Sequence, residues 1–346
     1  MGDIKIIASK RNYIDYKSVE LLKAIAKQED IKSVVALPDL SVGSVPNGVA
    51  IISKERIYPH FIGGDIGCGM SLFRVDISRK KIKVDRFEKI LKRTNLEDID
   101  IDLKLPYNLG TIGRGNHFAE FLVVKDIFIA KESIKKDALY LLIHSGSRAY
   151  GQLVFNKVSA KDIKEGISAD CAKEYLKEHN LAIAYAKKSR IAIAKRLLKV
   201  LKLRADFELI SDSAHNSIVK VKDGWLHRKG ATPSNSGDVV VAGTRGTLSY
   251  LLEPNGSCAL SNYSLSHGAG RKWERSKAEA ILKSKYKKQE LSRTKIGSRV
   301  VCSDSSLLYQ EAMEAYKDID IVVDDLVEAS LAKKVASFLP ILTYKE

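Results

Sequence analysis

Residues 138–148 read ALYLLIHSGSR. The apolar run 138–144 reads as a strand, and it leads directly into the small polar stretch Ser-Gly-Ser-Arg. Loops at strand ends are where scaffolds usually carry chemistry. Similar strand-like runs are GMSLFRVDI (69–77), SIVKV (217–221) and DVVVAGT (238–244). Apolar residues recur at helical spacing over 18–28, with Ser18 as the expected N-cap, and over 170–202, 275–291 and 318–335. In the second of these, Tyr175, Leu176, Ile183, Ala186, Ile193, Ala194 and Leu197 form the stripe. The mixture predicts an α+β fold with a central β-sandwich or mixed-sheet core surrounded by helices. No repeat, low-complexity tract or linker interrupts it, so residues 1–346 are expected to form a single domain.

The composition excludes several classes. With 346 residues, 45% hydrophobic and 29% charged, the chain has the balance of a globular protein with a sizeable core. No apolar stretch approaches the ~20 residues of a membrane span. The N-terminal MGDIKIIASKRNY lacks the apolar run of a signal peptide. Cysteines at 68, 171, 258 and 302 are too few and scattered for a disulfide framework, so a reducing, cytoplasmic setting is expected. The 58 Lys and Arg against 42 Asp and Glu leave a net charge of +16. That charge favours a polyanionic partner, most simply nucleic acid. Much of it lies in helical stretches such as 187–204 and 283–295, where it also serves to solvate a helix face.

Five short Gly- or Asn-flanked segments carry the chemistry-bearing residues: GGDIGCGM (63–70), GRGNHFAE (113–120), HSGSR (144–148), SAHNSI (213–218) and SHGAGR (266–271). Asp, Cys and His bind borderline divalent metals such as Mn²⁺ and Zn²⁺. Asp65 and Cys68 flank Gly67 on a tight turn that can aim a carboxylate and a thiolate at one point; a buried Cys in a Gly-rich turn is the alternative. His117, His144 and His215 are further candidate ligands. Asn116 and Glu120 suit the edge of a base or sugar, although the segment also fits an ordinary turn. Arg148 offers the planar fork that suits phosphate. His267 opens a turn in which Gly268, Ala269 and Gly270 are expected to leave backbone N–H groups open to an anion. Arg271 and Arg275 follow, four residues apart. Of the remaining histidines, His60 lacks such neighbours, His179 is expected on a solvated helix face, and His227, beside Arg228 and Lys229, is a candidate RNA contact.

In this order the segments closely resemble the motifs of the RtcB family of RNA ligases. The family's Asp-x-x-Cys-Gly is matched at Asp65, and its Gly-Asn-His-Phe-x-Glu runs from Gly115 to Glu120. His-Ser-Gly-Ser-Arg, His-Asn and His-Gly-Ala-Gly-Arg begin at His144, His215 and His267. Arg-Lys-Gly-Ala (228–231), the segment GTRGTLSY (243–250) and EAMEAYKD (311–318) extend the likeness, which runs from about residue 35 onward. The resemblance implies a GTP- and Mn²⁺-dependent ligase. Its substrates would be RNA with a 2′,3′-cyclic phosphate or 3′-phosphate end and RNA with a 5′-hydroxyl end, as in tRNA splicing or RNA repair. By the same resemblance Asp65, Cys68, His117, His144 and His215 would hold two Mn²⁺, with Cys68 bridging. His267 would attack GTP and carry GMP. Asn116, Glu120, Asn216, Thr244, Ser249, Lys345 and the turn from His267 to Gly270 would cradle the guanylate, with His215 beside it. Arg148, Arg271 and Arg275 would hold RNA phosphates.

The sequence departs from the family pattern in places. The chain is shorter than typical members. Pro38-Asp39-Leu40-Ser41 lacks the usual terminal His of its segment, Thr244 replaces Ser, and Lys345-Glu346 stands where Lys-Gly is common. The competing expectations are a metal-dependent cyclic phosphodiesterase and a non-catalytic RNA-binding protein. A complete ligand and nucleophile set argues against both.

Overall fold

A computed structural model describes residues 1–99, 109–256 and 258–346. Two large sheets dominate. The first runs in the order β1 (Asp3–Ile6), β2 (Ile31–Ser41), β3 (Asn47–Ser53), β11 (Gly224–Lys229), β10 (Asn216–Val221). The second runs β13 (Val239–Val241), β14 (Ser249–Pro254), β17 (Ala332–Lys345), β6 (Phe118–Ile127), β7 (Ala138–Ser145), β5 (Gly69–Ser78), β9 (Phe207–Ala214), with β16 (Arg299–Cys302) parallel to β17. Two short pairs complete the strands: β4 (Arg56–Ile57) with β8 (Ile167–Ser168), and β12 (Ala231–Pro233) with β15 (Ser264–Ser266). Among the described residues the α-helices are α1 (Tyr16–Ala26), α2 (Pro59–Ile62), α3 (Val84–Leu91), α4 (Ala149–Asn156), α5 (Ala160–Glu165), α6 (Lys173–Val200), α7 (Arg275–Lys285), α8 (Lys288–Leu291), α9 (Ser305–Gln310) and α10 (Ile319–Glu328). The α+β expectation holds.

The run that reads as a strand from sequence is the buried centre of this architecture. All of β7 is buried. Leu139, Leu141 and Ile143 point to a cluster shared with Ile193, Ala194 and Leu197 of α6. Tyr140 and Leu142 point the other way, to a cluster with Leu251 and Phe338. Side chains alternate across a strand, so a strand covered on both faces reads as one unbroken apolar run. Each such side chain contributes ~1.5–3 kcal/mol by leaving water. The second cluster joins Met70 and Leu72 of β5 to Val240 of β13, which lie near opposite ends of the strand order. The sheet therefore curls until its edges approach; Ser211 of β9 donates to the carbonyl of Asp238 across the gap at 2.7 Å. The first sheet is covered by α1 on one face and α10 on the other.

Four sequence readings need correction. The N-cap of α1 is Asp15, whose carboxylate accepts the Ser18 N–H at 3.0 Å; Ser18 itself is buried in the first turn. The helical pattern at 318–335 ends at Glu328, because Ser330 takes a left-handed φ of 56° and residues 332–345 become β17. The 275–291 stretch breaks at Tyr286, which is extended with φ −130°. The DVVVAGT run is a strand only over Val239–Val241.

Strand register positions the motifs. Gly69 pairs with both Ser145 and Ala214, and His144 pairs with Met70 on one side and Phe118 on the other. Cys68, His117, His144 and His215 are thereby carried to one end of four adjacent strands and the loops beside them. Gly67 permits the close approach: with φ +73°, a Cβ there would meet the Ile183 Cα of α6 at 2.8 Å.

Candidate metal and nucleotide site

The Cys68 sulfur lies 3.3 Å from Nε2 of His117 and 3.3 Å from Nε2 of His144. Nε2 of His144 lies 3.2 Å from Nε2 of His215, and Oδ2 of Asp65 lies 3.2 Å from Nε2 of His117. Cys68, His117 and His144 thus form one compact group whose ligand atoms all lie within 4.8 Å of one another, with Asp65 beside His117 and His215 beside His144. His144 donates from Nδ1 to the Asn116 carbonyl at 3.2 Å, which leaves the Nε2 lone pair facing the cluster. His215 Nδ1 is buried with no hydrogen-bond partner among the described residues.

Burial pushes the His144 and His215 imidazoles toward the neutral, ligating form, and neighbouring imidazoles push the same way. Burial also raises the Cys68 thiol, helped by the Asp65 charge, so a cation entering here displaces a proton. Burial works against a charge on Asp65, but His117 beside it outweighs that and holds the carboxyl well below its usual range. Converging imidazole nitrogens, one sulfur and one carboxylate fit a borderline divalent metal.

Around this cluster opens a cavity of about 270 Å³. His267 enters it from the end of β15, and its ring lies 4.6 Å from that of His215. Asp39, fully buried on β2, accepts from His267 Nδ1 at 2.6 Å and from the His267 backbone N–H at 3.0 Å. That leaves Nε2 as the nitrogen for chemistry. The turn after His267 differs from expectation. Gly268 N–H points to the same Asp39 oxygen at 3.4 Å and Ala269 N–H donates to the Ala242 carbonyl at 2.9 Å. The Asp39 carboxylate thus takes the His267 and Gly268 N–H groups, and a backbone carbonyl takes that of Ala269. Gly270, with φ +72°, lets the turn pass so close to Asp39 that a Cβ would sit 2.2 Å from its carbonyl oxygen.

The rest of the cavity is lined by Asn116, Phe118, Glu120, Thr244, Tyr316 and Lys345, among others. Glu120 is buried, accepts from the Thr343 hydroxyl at 2.6 Å, and is pushed up to about 7 by burial. Lys345 is buried and donates to the His117 carbonyl at 2.8 Å. Asn216 lines the cavity, but its amide already bridges the Asp65 carbonyl at 3.2 Å and the Gly230 N–H at 2.9 Å. Ser249 lies beneath the wall, where its hydroxyl accepts the Gly243 N–H at 3.0 Å.

The three arginines separate. Arg148 and Arg275 bracket the 113–117 loop: a Cβ on Gly113 would collide with the Arg148 guanidinium, and one on Gly115 would meet Arg275 at 3.0 Å. Arg148 also reaches His117 Nδ1 at 3.3 Å, and half of the Arg275 side chain is exposed. Arg271 also lines the cavity and shares Glu311 with Arg275, which reaches it at 3.4 Å. It donates to Glu311 and the Tyr316 hydroxyl, both at 3.1 Å, and to the carbonyls of Gln310 and Trp273.

Two histidine expectations fail. His179 is fully buried and accepts the Ile218 N–H at 3.0 Å, because its face of α6 turns to the sheet. His227 is buried and accepts the Tyr58 N–H at 2.9 Å, so it reaches no ligand. Asp39 and Lys229 were missed as site residues. Asp39 lay in a segment conspicuous only for its Ser41, and Lys229 lay in the Arg-Lys-Gly-Ala segment. Lys229 lines the cavity, and burial lowers its ammonium pKa against the opposing pull of Asp65 and Cys68.

The family model described as "tRNA-splicing ligase RtcB" matches residues 102–346. The chain is 38% identical to the RNA-splicing ligase RtcB2 of Escherichia coli, over 98% of this chain and 94% of that protein. It is 29% identical to the tRNA-splicing ligase RtcB of Nanoarchaeum equitans, over 99% and 93% respectively. With the tRNA-splicing ligase RtcB of Archaeoglobus fulgidus it shares 33% identity over 67% of this chain and 58% of that protein. With likeness over nearly its whole length, and the motif residues gathered in one cavity, the chain belongs to the RtcB family of RNA ligases.

Proposed function

We propose that the protein joins RNA 2′,3′-cyclic phosphate or 3′-phosphate ends to 5′-hydroxyl ends, using GTP and Mn²⁺, with residues 1–346 acting as one catalytic unit. The observation that carries this reading is the position of His267. A carboxylate-held imidazole stands 4.6 Å, ring to ring, from a member of a Cys/His metal-type cluster, inside the same cavity. A merely metal-binding or RNA-binding protein has no use for an oriented imidazole there.

In this reading GTP lies between the cluster and the Glu120–Lys345 end of the cavity. Glu120, when ionised, accepts from the guanine edge. Phe118 and Tyr316 provide aromatic walls, and Thr244 and Asn116 supply polar contacts. His267 Nε2 attacks the α-phosphorus; the P–N bond forms as the bond to pyrophosphate breaks, and Asp39 balances the charge on the ring through Nδ1–H. Two Mn²⁺ held by Asp65, Cys68, His117, His144 and His215 would, when bound, polarise phosphate oxygens and offset the charge of the leaving pyrophosphate. GMP then passes to the RNA 3′-phosphate, which activates that phosphate for attack by the 5′-hydroxyl. Arg148 and Arg275, at the rim, hold RNA phosphates, and the net charge of +16 favours a polyanion. All four cysteines are free thiols, as suits a reducing, cytoplasmic setting. No helix among the described residues is long and apolar enough to cross a membrane.

The test is incubation with Mn²⁺ and α-labelled GTP, followed by RNA ends. A ligase becomes labelled and joins the ends. An unlabelled protein that only opens the cyclic phosphate would be a phosphodiesterase, and one that does neither would be a binder.

A further inference from the structure

Arg190 lies in the middle of α6, is 1% exposed, and is the largest fully buried side chain among the described residues. It touches no cavity wall. Its guanidinium forks between the segments that carry the cluster. One terminal nitrogen donates to the Gly67 carbonyl at 3.1 Å and to the Ser145 carbonyl at 2.9 Å. Nε donates to the Ser71 hydroxyl at 2.8 Å, and Asp212 takes Nε at 3.1 Å and the other terminal nitrogen at 2.9 Å. The Gly67 carbonyl belongs to the peptide bond that leads into Cys68. Ser145 follows His144. Asp212 lies on β9, three residues before His215. A single cation therefore ties together the three backbone segments bearing Cys68, His144 and His215. The His117 segment is outside this set and is held instead by Lys345.

We propose that Arg190 is a positioning residue of the metal centre, setting the spacing of Cys68, His144 and His215. The inference rests on the metal-binding reading above. Its physical basis is that a planar, permanently charged fork can satisfy two buried carbonyls and a carboxylate at once in fixed directions. A lysine keeps the charge but, as a point donor on a flexible stem, cannot hold both carbonyls at the same separation. Metal ligands a few tenths of an ångström out of place bind weakly even in a folded protein.

The test is titration of the full chain with Mn²⁺ and with Co²⁺, whose thiolate charge-transfer absorption reports the Cys68 bond. Wild type is compared with Arg190→Lys, Arg190→Gln and Arg74→Gln. Arg74 is the control: also buried, it pairs with Asp76 and Glu208 and donates to the Ser133 carbonyl, all away from the cluster. Wild type and Arg74→Gln are expected to take up two ions per chain. Arg190→Lys, with a wild-type circular dichroism spectrum, should bind the ions at least ~10-fold more weakly. If Arg190→Gln fails to fold, Arg190→Lys and Ser71→Ala carry the same comparison. Two ions bound at wild-type affinity by Arg190→Lys would overturn the proposal. So would an equal loss in Arg74→Gln, which would make the effect one of general stability. A wild-type protein that binds no ion at all overturns the metal-binding reading itself, a result separate from either.

Discussion

Oδ2 of Asp39 stands 2.6 Å from Nδ1 of His267 although 228 residues separate them. The same oxygen takes the His267 backbone N–H, so ring plane and tautomer are fixed together. Replacing Asp39 by Asn keeps the size but offers an amide where a carboxylate stood. Formation of the GMP adduct is expected to slow ~10²-fold or more, as when a catalytic imidazole loses its orienting carboxylate. Single-turnover labelling with α-labelled GTP measures this. A rate within a few-fold of wild type would show that Asp39 merely packs.

His267→Ala is expected to abolish covalent GMP capture while metal content stays at the wild-type level, since His267 is held by Asp39 and lies outside the Cys68–His117–His144 group. Undiminished labelling would assign the nucleophile elsewhere.

Cys68→Ala should lose metal together with activity, because its sulfur stands 3.3 Å from Nε2 of both His117 and His144. Metal analysis is expected to find fewer than two Mn²⁺ per chain. Full metal content with normal joining would reduce Cys68 to a packed residue.

Glu120 predicts a pH dependence of stability. Burial moves it up to about 7 from 4.5, so the folded protein keeps a proton that the unfolded chain releases. Its contribution to stability is present below the unfolded value and is lost as pH rises through about 7. The shift corresponds to ~3 kcal/mol. Glu120→Gln keeps the shape without the titration. Between pH 5 and 8 the wild-type melting temperature is expected to fall by several degrees more than that of the variant. Equal slopes would mean that Glu120 does not titrate in this window.

Arg148→Ala and Arg275→Ala should impair end joining more than adduct formation, and RNA binding should weaken with salt as counterion release requires. Arg271→Ala should behave differently. It removes the nearer of the two guanidiniums that face buried Glu311, leaving Arg275 at 3.4 Å, and frees the Tyr316 wall, which lowers stability. Its defect is expected in stability and GTP affinity. Joining lost in Arg271→Ala with GTP affinity and melting temperature unchanged would return that arginine to the RNA path.

What was legible in the sequence were patterns local to a few residues. The strand at 138–145 was visible because both its faces are buried. The ligand segments were visible because glycines must stand where backbone passes close to helix or strand, as at Gly67. What escaped was set by tertiary contact. The helical pattern at 318–335 ran past Glu328 because the apolar spacing of α10 blends into the alternation of β17 without a Pro or Gly between them. His179 and Arg190 looked like members of a solvated basic helix, yet the face of α6 they share turns to the sheet. The turn after His267 looked open to an anion because its N–H groups were visible in sequence, while the distant Asp39 carboxylate and Ala242 carbonyl that take the Gly268 and Ala269 N–H groups were not.

Strand β17 lies between β14 and β6, and it carries Lys345 onto the carbonyl of a residue 228 positions earlier. On a ribosome adding ~5–20 residues per second, His117 waits roughly 10–50 s for that lysine. Through that interval β6 keeps an unpaired edge open to other chains, joined by β14 once residues 249–254 are made. The candidate ligands are all synthesised by then, but the cavity still lacks Thr343 and Lys345. Synthesis order therefore makes the nascent β6 edge the point where a chaperone has most to protect.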